Sequence, residues 1–527
     1  MNQPFAPAPS SLVTTRHGTR PGAWRACASV VAAALLWGCT DAPVEPRSAP
    51  SLDVATEGDT PTPPPYLDYL GAAGYRYFQG PAVSDGGSSL ASGLFSLALS
   101  PAITASANVQ VNDPAGPGLG QSEVDVAAIG SFVVVAWNDA RGFFVFNDGL
   151  SGWGFSADGG KTFTDGGSFP RKPIASFRRR GDPALAAASD AGVFFFADIC
   201  QETGVAALCV TKGTVAGSSI TWGTPVYAAT APAPAFFLDK EFIAADPTGT
   251  HIYVTYTRFG PGALGFGQIE SVASHDGGAT WAAPVVVAAA ISGTVLQGSE
   301  PALDQKGTLY VVWEKGWQTS FTPEIVVSKS TDGGATFSSP SVAATIGTLA
   351  FNRPIGYNRS RINDFPRIAV ATTGKNKDDV YVVFHSRDAG DVNVFVTRSS
   401  NGTAWSTPVQ LNDASADAQF WPMVMVEPGG NVDVLWYDRR NNVPGKGLTD
   451  VYWTQSIDGG TTWRANERVT DVSTNWIGIA TDIAPNFGDY NGLATSGNRT
   501  YAGWGDGRNG NPDVYFSIIK GAGKSGK

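Results

Sequence analysis

The sequence predicts an all-β fold, a β-propeller of four-stranded antiparallel blades, with seven blades as the preferred count and six as the alternative. Three observations predict it. An eight-residue segment recurs along the chain, and a pattern of apolar strands recurs at intervals of roughly 60 residues. The 63 glycines and 15 tryptophans also favour short strands and tight turns over helices. Repetition of a four-stranded unit at a fixed period is typical of a propeller.

The first 38 residues are typical of an export signal. Three arginines precede an apolar run at residues 26–37, which is too short to span a bilayer as a mature helix. Leu36, Gly38 and Cys39 resemble a bacterial lipobox, and this resemblance implies a lipidated Cys39 at the mature N-terminus. We therefore expect an exported protein that is lipid-anchored at the cell envelope, at the outer membrane. An ordinary secretory signal with an incidental cysteine is the alternative.

The remaining domain boundaries follow from composition. Residues 39–66 form a Pro-rich tether, residues 67–105 give no firm prediction, residues 106–520 hold the propeller, and residues 521–527 are an expected disordered tail. The net charge of −10 argues against a nucleic-acid partner. We expect a monomer that contacts the membrane only through its anchor.

Two cysteines remain within the predicted propeller. Cys200 and Cys209 stand in two apolar runs on either side of the letters QETG, an arrangement that predicts a hairpin. Because an exported protein meets an oxidising compartment, we expect a disulfide between them. A metal site would need more Cys or His partners, and the chain has four His in all.

The repeated unit begins with an apolar strand, continues with a β-rich run that ends in an aromatic residue, and closes with two further strands. The seven unit starts are Glu123, Asp182, Lys240, Glu300, Phe365, Trp421 and Asp489. The last unit stops after three strands. Residues 108–113 (NVQVND) match residues 408–413 (PVQLND), a fourth strand elsewhere. The N-terminal strand should therefore complete the last blade against residues 514–518 and close the ring.

The recurring eight-residue segment is SADGGKTF, SHDGGATW, STDGGATF or SIDGGTTW, beginning at residues 156, 274, 330 and 456. Its aspartate can accept hydrogen bonds from turn N–H groups, and its glycines allow positive φ. The segment resembles the Asp-box of sialidases and related propellers. That resemblance implies a structural turn between the third and fourth strands of a blade, far from the catalytic face. The implied structural aspartates are Asp158, Asp276, Asp332 and Asp458. Residues 398–405 are a decayed fifth copy, and the second unit lacks one.

A second element recurs as WNDAR, WYDRR and WGDGR, at residues 137, 436 and 504. Three copies in three blades favour a structural role over ligand binding. We expect Arg440 and Arg508 to pair with Asp450 and Asp513, which open the third strands of their blades.

The starts of the innermost strands should line the mouth of the central channel, where propellers usually bind ligands. The candidate ligand-binding residues are Glu123, Lys240, Glu241, Arg367, Trp421 and Asp489. Crowded carboxylates can act as acid or base, or can bind a hard cation such as Ca²⁺. Apart from such a cation we expect no cofactor. Trp421 and Tyr490 could stack on a sugar. The alternative is a solvated rim whose polar residues cap strand ends.

The sialidase resemblance covers residues 106–520. It implies a Tyr–Glu nucleophile pair, an Asp acid/base and three arginines that hold the substrate carboxylate. Candidate catalytic residues are Tyr490 with Glu300 or Glu241, and Asp182. Three arginines cannot be assembled from matching positions, and Arg178, Arg179 and Arg180 are the remaining candidates. Two functions stay open, a propeller that binds a glycan or protein and an exo-sialidase or other glycoside hydrolase. The missing arginines favour the first.

Overall fold

The computed structural model describes residues 105–113, 119–347, 354–359, 362–388, 391–414, 416–442, 447–479, 481, 483 and 485–519. All of them belong to one unit, Thr62–Lys527. The predicted signal, Cys39, the tether, residues 67–104 and the tail lie outside the described residues. Among the helices of the described part, none is long and apolar enough to cross a membrane.

Seven antiparallel sheets form the seven blades of a β-propeller, as the sequence predicts. The chain enters with β1 (Val109–Gln110), which belongs to the last blade. Blade 1 contains β2 (Gln121–Ile129), β3 (Phe132–Asp139), β4 (Ser151–Ser156) and β5 (Thr164–Ser168). Blade 2 contains β6 (Arg178–Ala188), β7 (Val193–Glu202), β8 (Val205–Ala216), β9 (Ser219–Trp222) and β10 (Val226–Pro232). Blade 3 contains β11 (Phe237–Ala245), β12 (Ile252–Phe259), β13 (Gln268–Ser274) and β14 (Val285–Ala288).

The remaining blades repeat this order. Blade 4 contains β15 (Leu296–Leu303), β16 (Leu309–Lys315), β17 (Glu324–Ser330) and β18 (Ser341–Thr345). Blade 5 contains β19 (Arg367–Val370), β20 (Val380–Asp388), β21 (Asp391–Ser399) and β22 (Val409–Gln410). Blade 6 contains β23 (Gln419–Val426), β24 (Val432–Asp438), β25 (Leu448–Ser456), β26 (Glu467–Arg468) and β27 (Thr474–Asn475). Blade 7 contains β28 (Gly492–Ser496), β29 (Arg499–Asp506) and β30 (Asp513–Ile519). The described helices are α1 (Ala140–Phe144) and a 3₁₀ turn (Gly262–Phe266).

The N-terminal strand closes the ring, as predicted. Strand β1 pairs with β30 and completes blade 7. The Asn112 side chain accepts from Val514 N at 2.8 Å and donates to Asp513 Oδ1 at 3.0 Å. In blade 5 the equivalent Asn412 accepts from Val394 N at 2.9 Å. The predicted match between residues 108–113 and 408–413 is therefore confirmed.

The core lies between blades because side chains alternate along each strand. On β3, Val133, Val135 and Trp137 pack with residues of blade 7, while Val134 and Ala136 pack with residues of blade 2. Both faces of the strand are buried, which explains its continuous apolar run.

The four eight-residue segments lie between the third and fourth strands of blades 1, 3, 4 and 6. In blade 3, Asp276 Oδ1 accepts from Thr280 N at 2.9 Å, and its Oδ2 accepts from the Thr280 hydroxyl at 2.6 Å. These bonds hold the pKa of Asp276 at about 2. In the fifth copy, Asn401 accepts from Ala404 N in the same manner. Blade 2 lacks this turn, and its third strand continues into β9 instead.

The predicted disulfide joins Cys200 and Cys209 across the β7–β8 hairpin, with 5.8 Å between the Cα atoms. Both residues are fully buried in a small apolar cluster with Phe177 and Ala207. The predicted disulfide is therefore confirmed.

The predicted partners of Arg440 and Arg508 are wrong. Arg440 pairs with Asp438 of its own motif at 2.7 Å and with Asp413 of the preceding blade at 2.5 Å. Arg508 likewise pairs with Asp506 at 2.7 Å and with Asp471 of the preceding blade at 2.5 Å. The cause lies in the turn, where the motif aspartate accepts from the arginine's own backbone N–H and the side chain folds back over it. In these two copies the motif therefore ties neighbouring blades together, and Asp450 pairs with Arg468 instead.

Candidate functional site

The innermost strands of blades 1, 2, 3, 4 and 6 share a β-bulge near their start, which sets the positions of several candidate residues. The register shifts between Ser122 and Asp125, and at the matching places in blades 2, 3, 4 and 6. The bulge residues have left-handed backbone, with φ of 56° at Glu123, 57° at Asp182, 53° at Lys240 and 49° at Trp421. Such conformations are costly outside glycine and are concentrated at functional sites.

Glu300 does not align with these bulge residues. It lies opposite Val312, and the bulge position of its blade is Gly298, with φ of 73°. The residues that match Glu300 are Asp125, opposite Ala136, and Arg367, opposite Val383. The candidate residues therefore form two layers, an outer one at the bulges and an inner one two residues further along the strands.

Lys240 is the centre of the outer layer. Its Nζ lies 3.0 Å from Asp489 Oδ2, 3.4 Å from Asp182 Oδ2 and 3.7 Å from Glu123 Oε1. The side chains of these four residues are at most 4% exposed. Four different blades thus bring one ammonium and three carboxylates together in a dry environment, where charge interactions are strong. We call these four residues the Lys240 cluster.

Three residues missed by the sequence reasoning complete this layer. Arg359 Nη1 lies 3.2 Å from Asp489 Oδ2, and the Tyr357 hydroxyl donates to Asp489 Oδ1 at 2.9 Å. Both precede blade 5 in a connection with no counterpart in the other units, so no repeat pattern could indicate them. Asn138 donates to Glu123 at 2.6 Å and accepts from Asp182 N at 2.9 Å. Its place in the WNDAR motif was the only available signal.

The pKa values of two carboxylates in the outer layer are shifted in opposite directions. Burial raises the pKa of Glu123, and the nearby charge of Asp182 raises it further. Burial also acts against the charged form of Asp489, but Lys240 and Arg359 together hold the pKa of Asp489 below its ordinary value. Burial opposes the Lys240 ammonium as well, yet Asp182, Asp489 and Glu123 raise the pKa of Lys240. Burial therefore favours the neutral form of Glu123, whereas the two neighbouring cations favour the ionised form of Asp489.

The inner layer centres on Arg367, whose Nη2 lies 3.1 Å from Glu300 Oε1. Glu300 and Asp125 each accept a backbone N–H from the next blade, from Ile368 and Leu185 respectively. Burial raises the pKa of Glu300 to about 7 and that of Asp125 to about 6, although Arg367 opposes both shifts.

The aromatic candidates are committed to internal contacts. The Tyr490 hydroxyl donates to the Pro183 carbonyl at 3.1 Å, rather than to Glu300 or Glu241, and burial raises its pKa. Trp421 is 2% exposed and donates through Nε1 to the Asn363 carbonyl at 3.3 Å. Neither ring presents an open face to a sugar in this conformation.

Several buried polar atoms at the starts of the innermost strands have no hydrogen-bond partner from another residue in the described part of the chain. They are Ser122 Oγ, both carboxylate oxygens of Glu241, Gln297 Oε1, Ser299 Oγ and Asn491 Oδ1. Burial raises the pKa of Glu241 well above its ordinary value. Unpartnered buried polar atoms are rare and often indicate water or a ligand.

The three consecutive arginines lie at the start of β6 in blade 2 and contact other residues. Arg179 is fully buried and pairs with Asp198 at 2.5 Å. Arg178 donates to the carbonyls of Ala175 and Phe177, and Arg180 donates to Gln201. The part of the chain that the structure describes contains no group of three or more His, Cys, Asp or Glu that could hold a metal ion.

No protein-family model and no curated protein matches the chain. Among solved structures it is similar to an α-L-arabinofuranosidase from Fusarium graminearum, with 13% identity, a TM-score of 0.42, and coverage of 79% of this chain and 98% of that one. It is also similar to a Penicillium chrysogenum α-L-arabinanase, with 11% identity, a TM-score of 0.43 and the same coverages. A third neighbour is Trypanosoma rangeli sialidase, with 12% identity, a TM-score of 0.43, and coverage of 80% of this chain and 60% of that one. At these identities the similarity is one of fold alone.

Proposed function

We propose that this protein is a binding propeller, anchored at the cell envelope through Cys39, which takes a glycan or a protein ligand at the mouth of its channel without catalysis. The observation that carries the proposal is the set of unpartnered polar atoms beside the Lys240 cluster, above all the two oxygens of Glu241. A ligand rich in hydroxyl groups supplies donors and acceptors at once. It would therefore relieve the cost of leaving such atoms unpaired.

The exposed fractions of the outer-layer residues indicate the side from which the proposed ligand enters. Among the charged residues of the outer layer, Arg359 is the most exposed, at 9%. It lies beside Tyr357 in the connection before blade 5 and contacts Asp489 from there. The proposed ligand reaches the cluster from this side and displaces or supplements the Arg359 contact.

The absence of catalysis has its own support. A nucleophilic tyrosine needs a base, and Tyr490 donates instead to a backbone carbonyl while its pKa is raised. A substrate carboxylate needs fixed guanidinium donors. Arg359 and Arg367 are already paired with Asp489 and Glu300.

The test uses purified residues 40–527 on a glycan array, with Asp182→Asn beside it. Asp433→Asn is the matched control, because Asp433 is equally buried but lies at the opposite end of a blade, where the second strand begins. We expect array binding that is reduced at least about tenfold by Asp182→Asn, a change worth about 1.4 kcal/mol, and kept by Asp433→Asn. Equal binding by all three proteins would place the ligand elsewhere.

The enzymatic alternative, an exo-sialidase or other glycoside hydrolase, is tested separately on a fluorogenic sialoside. We expect no turnover above background. Sialoside hydrolysis by the wild-type protein that is lost in Tyr490→Phe would show that the protein is a glycoside hydrolase and would overturn the proposal.

A further inference from the structure

Two neighbouring loops carry exposed apolar side chains surrounded by cations. One loop joins β3 to β4 and contains α1, and the other joins β5 to β6. We call the following residues the aromatic–basic patch: Arg141, Phe144, Val145, Phe146, Arg171, Lys172, Ile174 and Arg178. Arg171 links the two loops, since its guanidinium donates to the carbonyls of Asn147 and Phe177. The patch is therefore one surface rather than two unrelated tips.

The apolar members are unusually accessible for their type. Val145 is 57% exposed, Phe146 is 53% exposed and Ile174 is 39% exposed. Single exposed apolar residues are normal on protein surfaces, but a contiguous group often indicates an interaction site. Residues 144–147 and 173–176 are all exposed, so both loop tips face solvent together.

Three of the four cations of the patch have no carboxylate partner in the described part of the chain. Arg178 donates to two backbone carbonyls, and Lys172 lies over the Tyr227 ring at 4.1 Å. Arg141 lies over the Phe146 ring at 5.1 Å. Within the described ranges, none of these three has an ion pair, and Arg171 reaches only Asp148, at 3.9 Å. In a chain with a net charge of −10, this is a local concentration of positive charge.

The location of the patch follows from strand direction. In each blade the connection between the second and third strands, and the connection to the next blade, lie at the end where the innermost strand begins. Both loops are therefore on the same face of the propeller as the channel mouth. The eight-residue turns, which join third to fourth strands, lie on the opposite face.

We propose that the aromatic–basic patch docks on an anionic phospholipid surface. The apolar tips enter the headgroup region, where aromatic and aliphatic side chains are stabilised, and the surrounding cations are attracted to the negative lipids. A lipid surface is the inferred partner because its negative charge complements these cations and its headgroup region accommodates the apolar loop tips. The contact goes beyond ligand binding at the mouth and does not depend on it. Docking through the aromatic–basic patch turns the face that carries the channel mouth toward the membrane.

The experiment is vesicle co-sedimentation of residues 40–527, which lack the lipid, with phosphatidylcholine vesicles and with vesicles containing 30% phosphatidylglycerol. We expect binding to the anionic vesicles that is at least about tenfold stronger than to the neutral ones and that falls as salt rises. Equal binding to both kinds of vesicle, or binding to neither, would overturn the proposal.

Two matched pairs of variants locate the contact. The pair Val145→Ser/Phe146→Ser should lose at least about tenfold in anionic-vesicle affinity, while Ile457→Ser should not, since Ile457 is 55% exposed but lies in an eight-residue turn on the opposite face. Lys172→Glu should weaken binding several-fold more than Lys161→Glu, which makes the same charge change on the opposite face. Equal effects within either pair would contradict the assignment. Binding to soluble polyglutamate without binding to vesicles would identify an acidic polypeptide as the partner instead.

Discussion

At the scale of single residues, Lys240 balances the charge of the channel mouth. Its ammonium is the nearest cation to Asp182 and Glu123 and one of two beside Asp489. Removing one partner of a buried ion group leaves the others uncompensated, at a cost of about 3–5 kcal/mol.

We therefore expect Lys240→Met to lower the free energy of unfolding by about 3 kcal/mol or more, measured by urea denaturation. The matched control is Lys315→Met, which removes an ion pair to Glu324 at 2.7 Å whose side chains are 41% and 32% exposed. It should cause a much smaller loss. Equal losses would show that the Lys240 cluster is not held together by charge.

Glu300 gives the molecule a pH dependence. Its pKa is about 7 in the folded protein, above its ordinary value of 4.5, because it is buried. Between these two values the folded state binds more protons than the unfolded state, so stability falls as pH rises from about 4.5 to about 7. Because Gln cannot titrate, the free energy of unfolding of Glu300→Gln should fall less over this pH range, by on the order of 3 kcal/mol. Denaturation midpoints at pH 4.5, 6 and 7.5 measure it. An unchanged slope in Glu300→Gln, beside Glu324→Gln as control, would rule out this assignment.

At the scale of single elements, the eight-residue turns depend on an acceptor at their third position. Asp458 accepts from the N–H and the hydroxyl of Thr462, and its pKa is lowered to about 2. In the fifth turn Asn401, two residues after Ser399, takes the place of the aspartate and keeps the backbone contacts.

We expect stability at pH 7, measured by thermal unfolding, to decrease in the order wild type, Asp458→Asn, Asp458→Ala. Since the lowered pKa stabilises the protein above the ordinary value of 3.8 and this contribution is lost as pH falls toward about 2, the three melting temperatures should converge in acid. Melting temperatures that stay equally separated at pH 2 would contradict this role.

The elements differ in how far the sequence could predict them. Strands and turns depend on local patterns, such as period-two burial and glycines at positive φ, and the unit count, the closing strand and the disulfide all follow from such patterns. Register is not local. The repeated pattern aligns Glu300 with Asp182 as unit starts, but the bulge position of blade 4 is Gly298, two residues before Glu300. The partners of Arg440 depended on a turn that folds back, and Arg359 and Tyr357 lie in a connection without repeats.

At the scale of the whole molecule, the ring is closed by a strand of a few residues. Its contacts include Val109 and Gln110 opposite β30, the Val111 N–H donated to Val514 O at 2.9 Å, and the two Asn112 bonds. Since each hydrogen bond contributes about 1 kcal/mol, a chain that starts at residue 119 should be less stable than one that starts at residue 105 by several kcal/mol. Calorimetry of the two chains measures this. Equal transition temperatures would show that closure adds nothing.

The function proposed for the whole molecule is that its channel mouth binds a ligand without transforming it. The most direct test is titration calorimetry with the strongest glycan from the array, followed by chromatography of the same sample. For the wild-type protein we predict saturable binding and full recovery of the intact glycan. For Asp182→Asn we predict at least a tenfold weaker dissociation constant, with Asp433→Asn unchanged. Cleaved glycan in the wild-type sample, or equal affinity in Asp182→Asn, would contradict the claim.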